Sequence, residues 1–181
     1  RIKPDLMAHG VNVTSLASTG PTASGIQSGT SMATPVVSGI ASLVLQLANS
    51  LDITMTPAAM KALLIQTAAD VQGIDQSTEG PDYATGWGIV DAQAAVNLLQ
   101  QGGLVQGILS GTGISNAWTQ TFDVPFGETE VHVTLAWDDP PPSALSFAQP
   151  LVNDLDLRLI APDGSQFTPW ILGGATNPGQ S

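Results

Sequence analysis

The residue best placed for chemistry is a serine within the heptapeptide Gly29-Thr30-Ser31-Met32-Ala33-Thr34-Pro35. Ser31 lies between a glycine-bearing loop and a long apolar run, which predicts a position at the start of a helix. A helix N-terminus offers unpaired backbone N–H groups and partial positive charge, and both stabilise an alkoxide or an oxyanion beside them. Ser31 is therefore a candidate nucleophile. The alternative is that Thr30 or Ser31 only caps the helix through its hydroxyl.

The complete heptapeptide resembles the nucleophile motif of subtilisin-like serine proteases. Flanking segments resemble the same family in the same order: 3–8 upstream, and 80–83 and 86–91 downstream. The resemblance covers about residues 1–100. It implies a secreted, extracellular endopeptidase that cleaves polypeptide substrates through an acyl-enzyme on Ser31, with the backbone N–H of Ser31 among the oxyanion donors.

A serine hydroxyl needs a base, and the base needs an orienting carboxylate. In subtilisin-like enzymes the Asp and the His precede the Ser along the chain. We therefore expect both partners in an N-terminal half of the protease domain upstream of this sequence, and we expect this chain alone to be almost inert. His9 replaces the proline of the family's usual Ala-Pro-Gly and is interpreted as a loop histidine, and His132 as a residue on the polar face of a strand.

Residues 1–102 are predicted to be α/β, as the C-terminal portion of a subtilisin-like fold. Apolar residues cover nearly every side of a helix over Thr34–Asn49, which predicts that this helix is largely buried. Thr56 and Asp91 mark the starts of two further helices. Short strands are expected at 2–6 and 11–16, and a loop at 20–29.

Residues 103–181 are predicted to form an all-β sandwich or jelly-roll domain, which we expect to be incomplete and to continue beyond this sequence. Apolar and polar residues alternate over Thr119–Val124 and Val131–Trp137, and Pro162-Asp163-Gly164 indicates a hairpin turn. The segments 151–157 and 161–164 resemble the β-barrel domain of large alkaline subtilases. The tryptophans of this part are interpreted as core residues, namely Trp118, Trp137 and Trp170.

A group of oxygen-bearing side chains in the second part is a candidate structural calcium site, because Ca²⁺ prefers carboxylate and amide oxygens. The alternative is a solvated acidic strand face. No cofactor is expected for the chemistry itself. The candidate ligands are Asp138, Asp139, Asn153, Asp154 and Asp156.

The chain carries 15 acidic and 4 basic residues, a formal net charge of −11, so we expect neither a nucleic-acid partner nor an anionic membrane surface. Cysteine is absent, which excludes disulfides and thiolate zinc sites. A competing interpretation is a catalytically inert fragment, or a binding or structural module with a calcium-stabilised β-domain, in which Ser31 is idle. Without its covering strands the first part should expose apolar side chains and self-associate through Val36, Val37, Ile40 and Leu43.

Overall fold

The computed structural model describes residues 2–71, 81–109, 117–142 and 151–170. Gly80, the first residue of one family-like segment, lies outside these ranges. Helices and strands are both present, which is compatible with the predicted α/β class. The elements in chain order are β1 (Val13–Leu16), β2 (Ser24–Gln27), α1 (Thr30–Ser50), α2 (Pro57–Gln66), α3 (Ala92–Gln100), β3 (Leu159–Ile160) and β4 (Gln166–Phe167).

Strands β1 and β2 form an antiparallel hairpin directly before α1, with Val13 opposite Gln27 and Leu16 opposite Ser24. The strand predicted at 11–16 is confirmed, whereas the loop predicted at 20–29 is wrong because β2 lies within it. Ser24 and Gly25 have little strand propensity, and pairing with β1 overrides that preference. The hairpin leads into Gly29 and the start of α1.

Helix α1 is longer and more exposed than the sequence predicts. It begins at Thr30 instead of residue 34 and spans 21 residues. Among its residues only Val44 and Ala48 are buried, and Leu43 is 62% exposed. The prediction of a largely buried helix is therefore wrong for the described residues, because only one side of α1 has a neighbour, the cluster formed with α2 and α3. Val36 is exposed as expected, while Val37 and Ile40 pack partly against that cluster.

Hydroxyl side chains follow one line along α1 and donate to its own backbone. The Thr34 hydroxyl donates to the carbonyl of Thr30 at 2.8 Å, that of Ser38 to Thr34 at 3.2 Å, and that of Ser42 to Ser38 at 2.9 Å. Among the described residues, α1 is the one helix long and apolar enough to cross a bilayer by length and composition. Core helices of soluble proteins share that property.

Helices α2 and α3 begin where the sequence predicts. The Thr56 hydroxyl accepts the amide of Ala59 at 3.1 Å, and the Asp91 carboxylate accepts the amide of Ala94 at 2.9 Å. Both are N-caps that satisfy a first-turn amide. The three helices enclose the main apolar cluster of the described chain, which consists of Val44, Ala48, Leu63, Leu64, Ala95 and Leu99.

The loop before α3 is organised around a buried carboxylate. Asp82 is 2% exposed, and its Oδ1 accepts the amides of Ala84 and Thr85, both at 2.6 Å. Its Oδ2 accepts the hydroxyl of Thr85. Gly86 closes this turn at φ 69°, where a side chain would collide with the carbonyl oxygen of Pro4. The loop is thus shaped to lie directly against the N-terminal segment.

The described second part contains one small sheet, the β3–β4 hairpin, with Leu159 opposite Phe167. The hairpin turn predicted at 162–164 is confirmed, with Gly164 donating to the carbonyl of Ala161 at 2.9 Å. The segments 119–124 and 131–137 lie outside strands, so the jelly roll is not confirmed. Trp118 and Trp170 are more than half exposed, which contradicts a core position, because the described residues provide no second sheet to cover them. The boundary at 102/103 stays a prediction.

Part of the second segment docks on α2 through polar side chains. The amide of Gln66 donates to the carbonyl of His132 at 2.8 Å and accepts the hydroxyl of Thr134 at 2.6 Å. Gln106 binds the start of the same helix, donating to the carbonyl of Thr54 at 2.8 Å and accepting from Thr56. These contacts replace some of the strand partners that the alternating pattern led us to expect.

Candidate active site

Ser31 lies in the first turn of α1 and is exposed. The residue that caps the helix is Gly29, at φ 153° and ψ 170°, and no side chain among the described residues accepts a hydrogen bond from the first-turn amides. The expectation that Ser31 begins a helix is confirmed. The alternative that Thr30 or Ser31 caps the helix is wrong, because both residues are already inside it.

The backbone around Ser31 leaves a donor available. The carbonyl of Gly29 accepts the amides of Met32 at 3.0 Å and Ala33 at 3.3 Å. Within the described ranges the amide of Ser31 has no acceptor. When a hydroxyl attacks a carbonyl carbon, the carbonyl oxygen becomes an oxyanion. An unpaired backbone amide at a helix N-terminus, on the same residue as the exposed hydroxyl, can donate a hydrogen bond to that oxyanion.

Pro35 lies in the second turn of α1. Proline has no N–H, so the carbonyl of Ser31 lacks the helical donor that position 35 would otherwise provide. The proline ring also approaches that carbonyl, four residues earlier in the helix. Pro35 therefore leaves the backbone carbonyl of Ser31, the candidate nucleophile, without its usual helical hydrogen bond.

The turn before Ser31 is held by the segment that precedes β1. Gly29 donates its amide to the carbonyl of Gly10 at 2.8 Å, and Asn12 donates its amide to the hydroxyl of Ser28, also at 2.8 Å. Asn12 adopts φ 52°, a left-handed conformation that asparagine tolerates. This contact between Gly10 and Gly29 was not predicted from the sequence, in which the two glycines themselves were the only signal.

Neither histidine forms a hydrogen bond with Ser31 in the described structure. His9 is exposed, and no hydrogen bond joins it to Ser31. The His132 side chain is 71% exposed and lies 3.2 Å from Glu130. Throughout the described ranges, no side chain forms a hydrogen bond with the Ser31 hydroxyl. Among the described residues the candidate site thus consists of an exposed hydroxyl and an unpaired backbone amide, both on Ser31.

Charged side chains connect the N-terminal segment to α2. The Asp5 carboxylate pairs with Lys3 and, at 2.9 Å, with the Lys61 ammonium on α2. Partial burial pushes the pKa of Asp5 upward, but hydrogen bonds and charge from Lys3 and Lys61 outweigh it, and the pKa lies below its usual value. This pairing anchors the segment that leads to Gly10.

Two of the candidate calcium ligands lie together. Asp139 accepts the amides of Val152 at 2.8 Å and Asn153 at 2.9 Å, together with the Asn153 side-chain amide at 2.8 Å. Desolvation pushes the pKa of Asp139 upward, but these hydrogen bonds outweigh it and hold the pKa below its usual value. They occupy the carboxylate oxygens with protein donors, whereas a metal site would leave them free.

The remaining candidate ligands lie apart from this pair. Asp138 faces the start of α2, where it accepts the amide of Ala58 at 3.4 Å. Asp154 and Asp156 are exposed. No group of three or more His, Asp or Glu side chains that could hold a metal ion occurs in the part of the chain that the structure describes. The calcium site stays a prediction.

Comparison with known proteins finds a family that the first part resembles. Residues 1–88 match the model of the subtilase family. This part of the chain is therefore similar to a portion of a subtilase protease domain.

Two individual proteins are similar to this chain. The extracellular basic protease of Dichelobacter nodosus is 42% identical over 97 residues, an alignment that covers 51% of this chain and 15% of that protein. The solved patellamide maturation protease PatA is 27% identical with a TM-score of 0.46, covering 53% of this chain and 34% of that chain. The chain thus spans a small part of the length of both relatives.

Proposed function

We propose that this chain supplies the nucleophile-bearing portion of a secreted serine endopeptidase. One observation carries the proposal: within the segment that matches the subtilase model, Ser31 is exposed at a helix N-terminus that no described side chain caps, and its own amide has no acceptor in the described chain. The extracellular naming of the Dichelobacter relative supports secretion. Polypeptides are the substrates that the family implies.

The reaction follows from the atoms at this site. A histidine supplied from outside this chain removes the proton of the Ser31 hydroxyl, and Oγ forms a bond to the scissile carbonyl carbon. The carbonyl oxygen becomes an oxyanion, which the Ser31 amide and the helix N-terminus stabilise. When the oxyanion collapses, the C–N bond breaks and the amine leaves with the proton held by the histidine. Water then hydrolyses the acyl-enzyme and restores Ser31.

We also retain, as parts of the proposal, a protease portion at 1–102, a β-domain at 103–181, and a structural calcium ion in the latter. The missing half of the protease domain is the expected partner of the exposed side of α1. Self-association of the isolated chain through Val36 and Leu43 follows from the same exposure, since both side chains face solvent. Sedimentation as a monomer without binding of a hydrophobic dye would contradict it.

A second candidate function is an inert or binding module. Its support is the absence of any described histidine or carboxylate that contacts Ser31. In that case the hydroxyl is unactivated, whatever its position, and the β-domain carries the biological role.

Covalent labelling with a fluorophosphonate distinguishes the two functions. The full-length product of the gene should label at Ser31, whereas the 181-residue chain should not, because only an activated serine reacts quickly. Ser31→Ala should abolish labelling, and Ser38→Ala, an exposed serine on the same helix, should leave it unchanged. If the full-length protein fails to label, the protease proposal is wrong and the binding module is favoured.

A further inference from the structure

Gly10 makes an unusually close approach to the first turn of α1. A Cβ placed on it would lie 2.7 Å from the carbonyl oxygen of Gly29, 3.0 Å from the Cβ of Ala33 and 3.2 Å from the amide nitrogen of Ala33. Backbone conformation does not require glycine here, since the φ of Gly10 is outside the left-handed region. Glycine is required at position 10 only because a side chain there would be too close to Gly29 and Ala33.

The atoms that crowd Gly10 belong to the turn that places Ser31. The same Gly29 oxygen accepts the amides of Met32 and Ala33, the two residues that follow Ser31. Any group that displaces this oxygen therefore moves the first turn of the helix. Ser31 Oγ and the Ser31 amide move with it.

Hydrogen bonds hold the segment containing Gly10 on both sides, so this segment cannot move away from the start of α1. Before it, Met7 donates its amide to Gly88 at 2.8 Å and accepts the amide of Val90 at 2.9 Å. After it, Asn12 bonds to Ser28, and the β1–β2 ladder begins at Val13. A side chain at position 10 would consequently push against the helix start, because the chain behind it is held.

We propose that Gly10 is a positioning residue for the nucleophile: its lack of a side chain lets residues 7–12 seat against Gly29 and Ala33 and so sets the position of the first turn of α1. The inference rests on the proposed protease function. It assigns to Gly10 an effect on the rate of acylation that is separate from any effect on stability. Gly10 acts through Gly29 and does not touch the substrate.

The test compares variants in the full-length protein. Gly10→Ala introduces the crowded methyl. Gly25→Ala is the matched control in the β1–β2 hairpin that follows Gly10, where a Cβ would lie 3.7 Å from the nearest atom, the Cβ of Ala17. Thr56→Ala is the stability control, since it removes the N-cap of α2 at a distance in the chain from Ser31. Three quantities are measured for each: the rate of fluorophosphonate labelling at Ser31, kcat and KM for a peptide ester, and the melting temperature.

Gly10→Ala is expected to lower the labelling rate and kcat by about 10- to 100-fold, the effect of displacing a reacting group by up to about 1 Å, with KM nearly unchanged. Gly25→Ala and Thr56→Ala should label at about the parent rate, although Thr56→Ala melts earlier. Parent-like labelling by Gly10→Ala would overturn the proposal. An equal loss in Thr56→Ala would do the same, because the effect would then follow stability.

The remaining outcomes are also decisive. If the full-length parent does not label, the protease function fails, and the positioning role fails with it. If Gly10→Ala does not fold, hydrogen exchange of the Gly29 amide in the parent takes its place. That amide should exchange as slowly as the interior amides of α1, because it is held against Gly10; exchange as fast as in an exposed loop would overturn the proposal.

Discussion

Replacing Asp82 by alanine should strongly destabilise the chain, although the residue is remote from Ser31 in the sequence. The carboxylate is 2% exposed and accepts the amides of Ala84 and Thr85 and the hydroxyl of Thr85. Alanine removes all of these acceptors. Thr85 is itself 1% exposed, so its amide and its hydroxyl are both left as buried donors without a partner.

The size of the effect follows from those two donors. Each buried donor left unsatisfied costs about 1–3 kcal/mol, so the free energy of unfolding should fall by about 2–6 kcal/mol. Asp91 is the matched control, because it accepts the single amide of Ala94 at the start of α3. Losing an N-cap of this kind costs about 1 kcal/mol. Asp82→Asn should lie between the two, since it keeps an oxygen for the backbone amides.

Urea titration of the 181-residue chain, followed by far-ultraviolet circular dichroism, measures the difference. With an m-value of about 2 kcal/mol/M, the midpoint should shift by about 1–3 M for Asp82→Ala and about 0.5 M for Asp91→Ala. A shift for Asp82→Ala no larger than that for Asp91→Ala would refute the reasoning. It would mean that water reaches the Thr85 donors when the carboxylate is removed.

Three further predictions follow from other contacts. The pKa of Asp5 is lower in the folded chain than in the unfolded one, so its contribution to stability is complete above the unfolded pKa and is lost as the pH falls through the folded pKa. Lys61→Met should therefore flatten the part of a stability–pH curve below about pH 4. An unchanged curve would contradict this. Leu63→Ala, at a side chain 1% exposed, should cost about 2–5 kcal/mol in urea titration, whereas Leu43→Ala at 62% exposure should cost about 0.5 kcal/mol or less, and equal losses would be incompatible with the observed core. Peroxide should inactivate the full-length protein by oxidising Met32, which is half-buried beside Ser31, and Met32→Leu should resist; equal sensitivity of the two would exclude Met32 as the target.

The features that could be predicted from the sequence are those determined by neighbouring residues. Thr56 followed by Pro57, and Asp91 before an alanine-rich run, each define a helix start by local hydrogen bonding, and both starts are confirmed. The position of Ser31 at the start of α1 was predictable from its place between a glycine-bearing loop and a long apolar run. Local chemistry was sufficient for α2 and α3 because the partner of each capping side chain lies three residues away.

The features that could not be predicted depend on partners distant in the chain. Strand β2 exists because β1 pairs with it, and its own residues give little sign of a strand. The Gly10 carbonyl and the Gly29 amide are brought together by the β1–β2 hairpin that lies between them in the chain. Conversely, the alternation over 131–137 predicted a strand, but the described backbone there contacts Gln66 of α2 instead. An alternating pattern indicates which residues share a face and leaves the pairing partner open.

The line of hydroxyls along α1 has a consequence for how this helix responds to solvent. Thr34, Ser38 and Ser42 look polar in the sequence, yet each already donates its proton to a carbonyl one turn earlier. A buried hydroxyl without an acceptor costs about 1–3 kcal/mol. Here that penalty does not arise, because the acceptors are backbone carbonyls of the same helix. These three hydroxyl donors therefore keep the same acceptors whether this face of α1 is wetted or covered by an apolar neighbour.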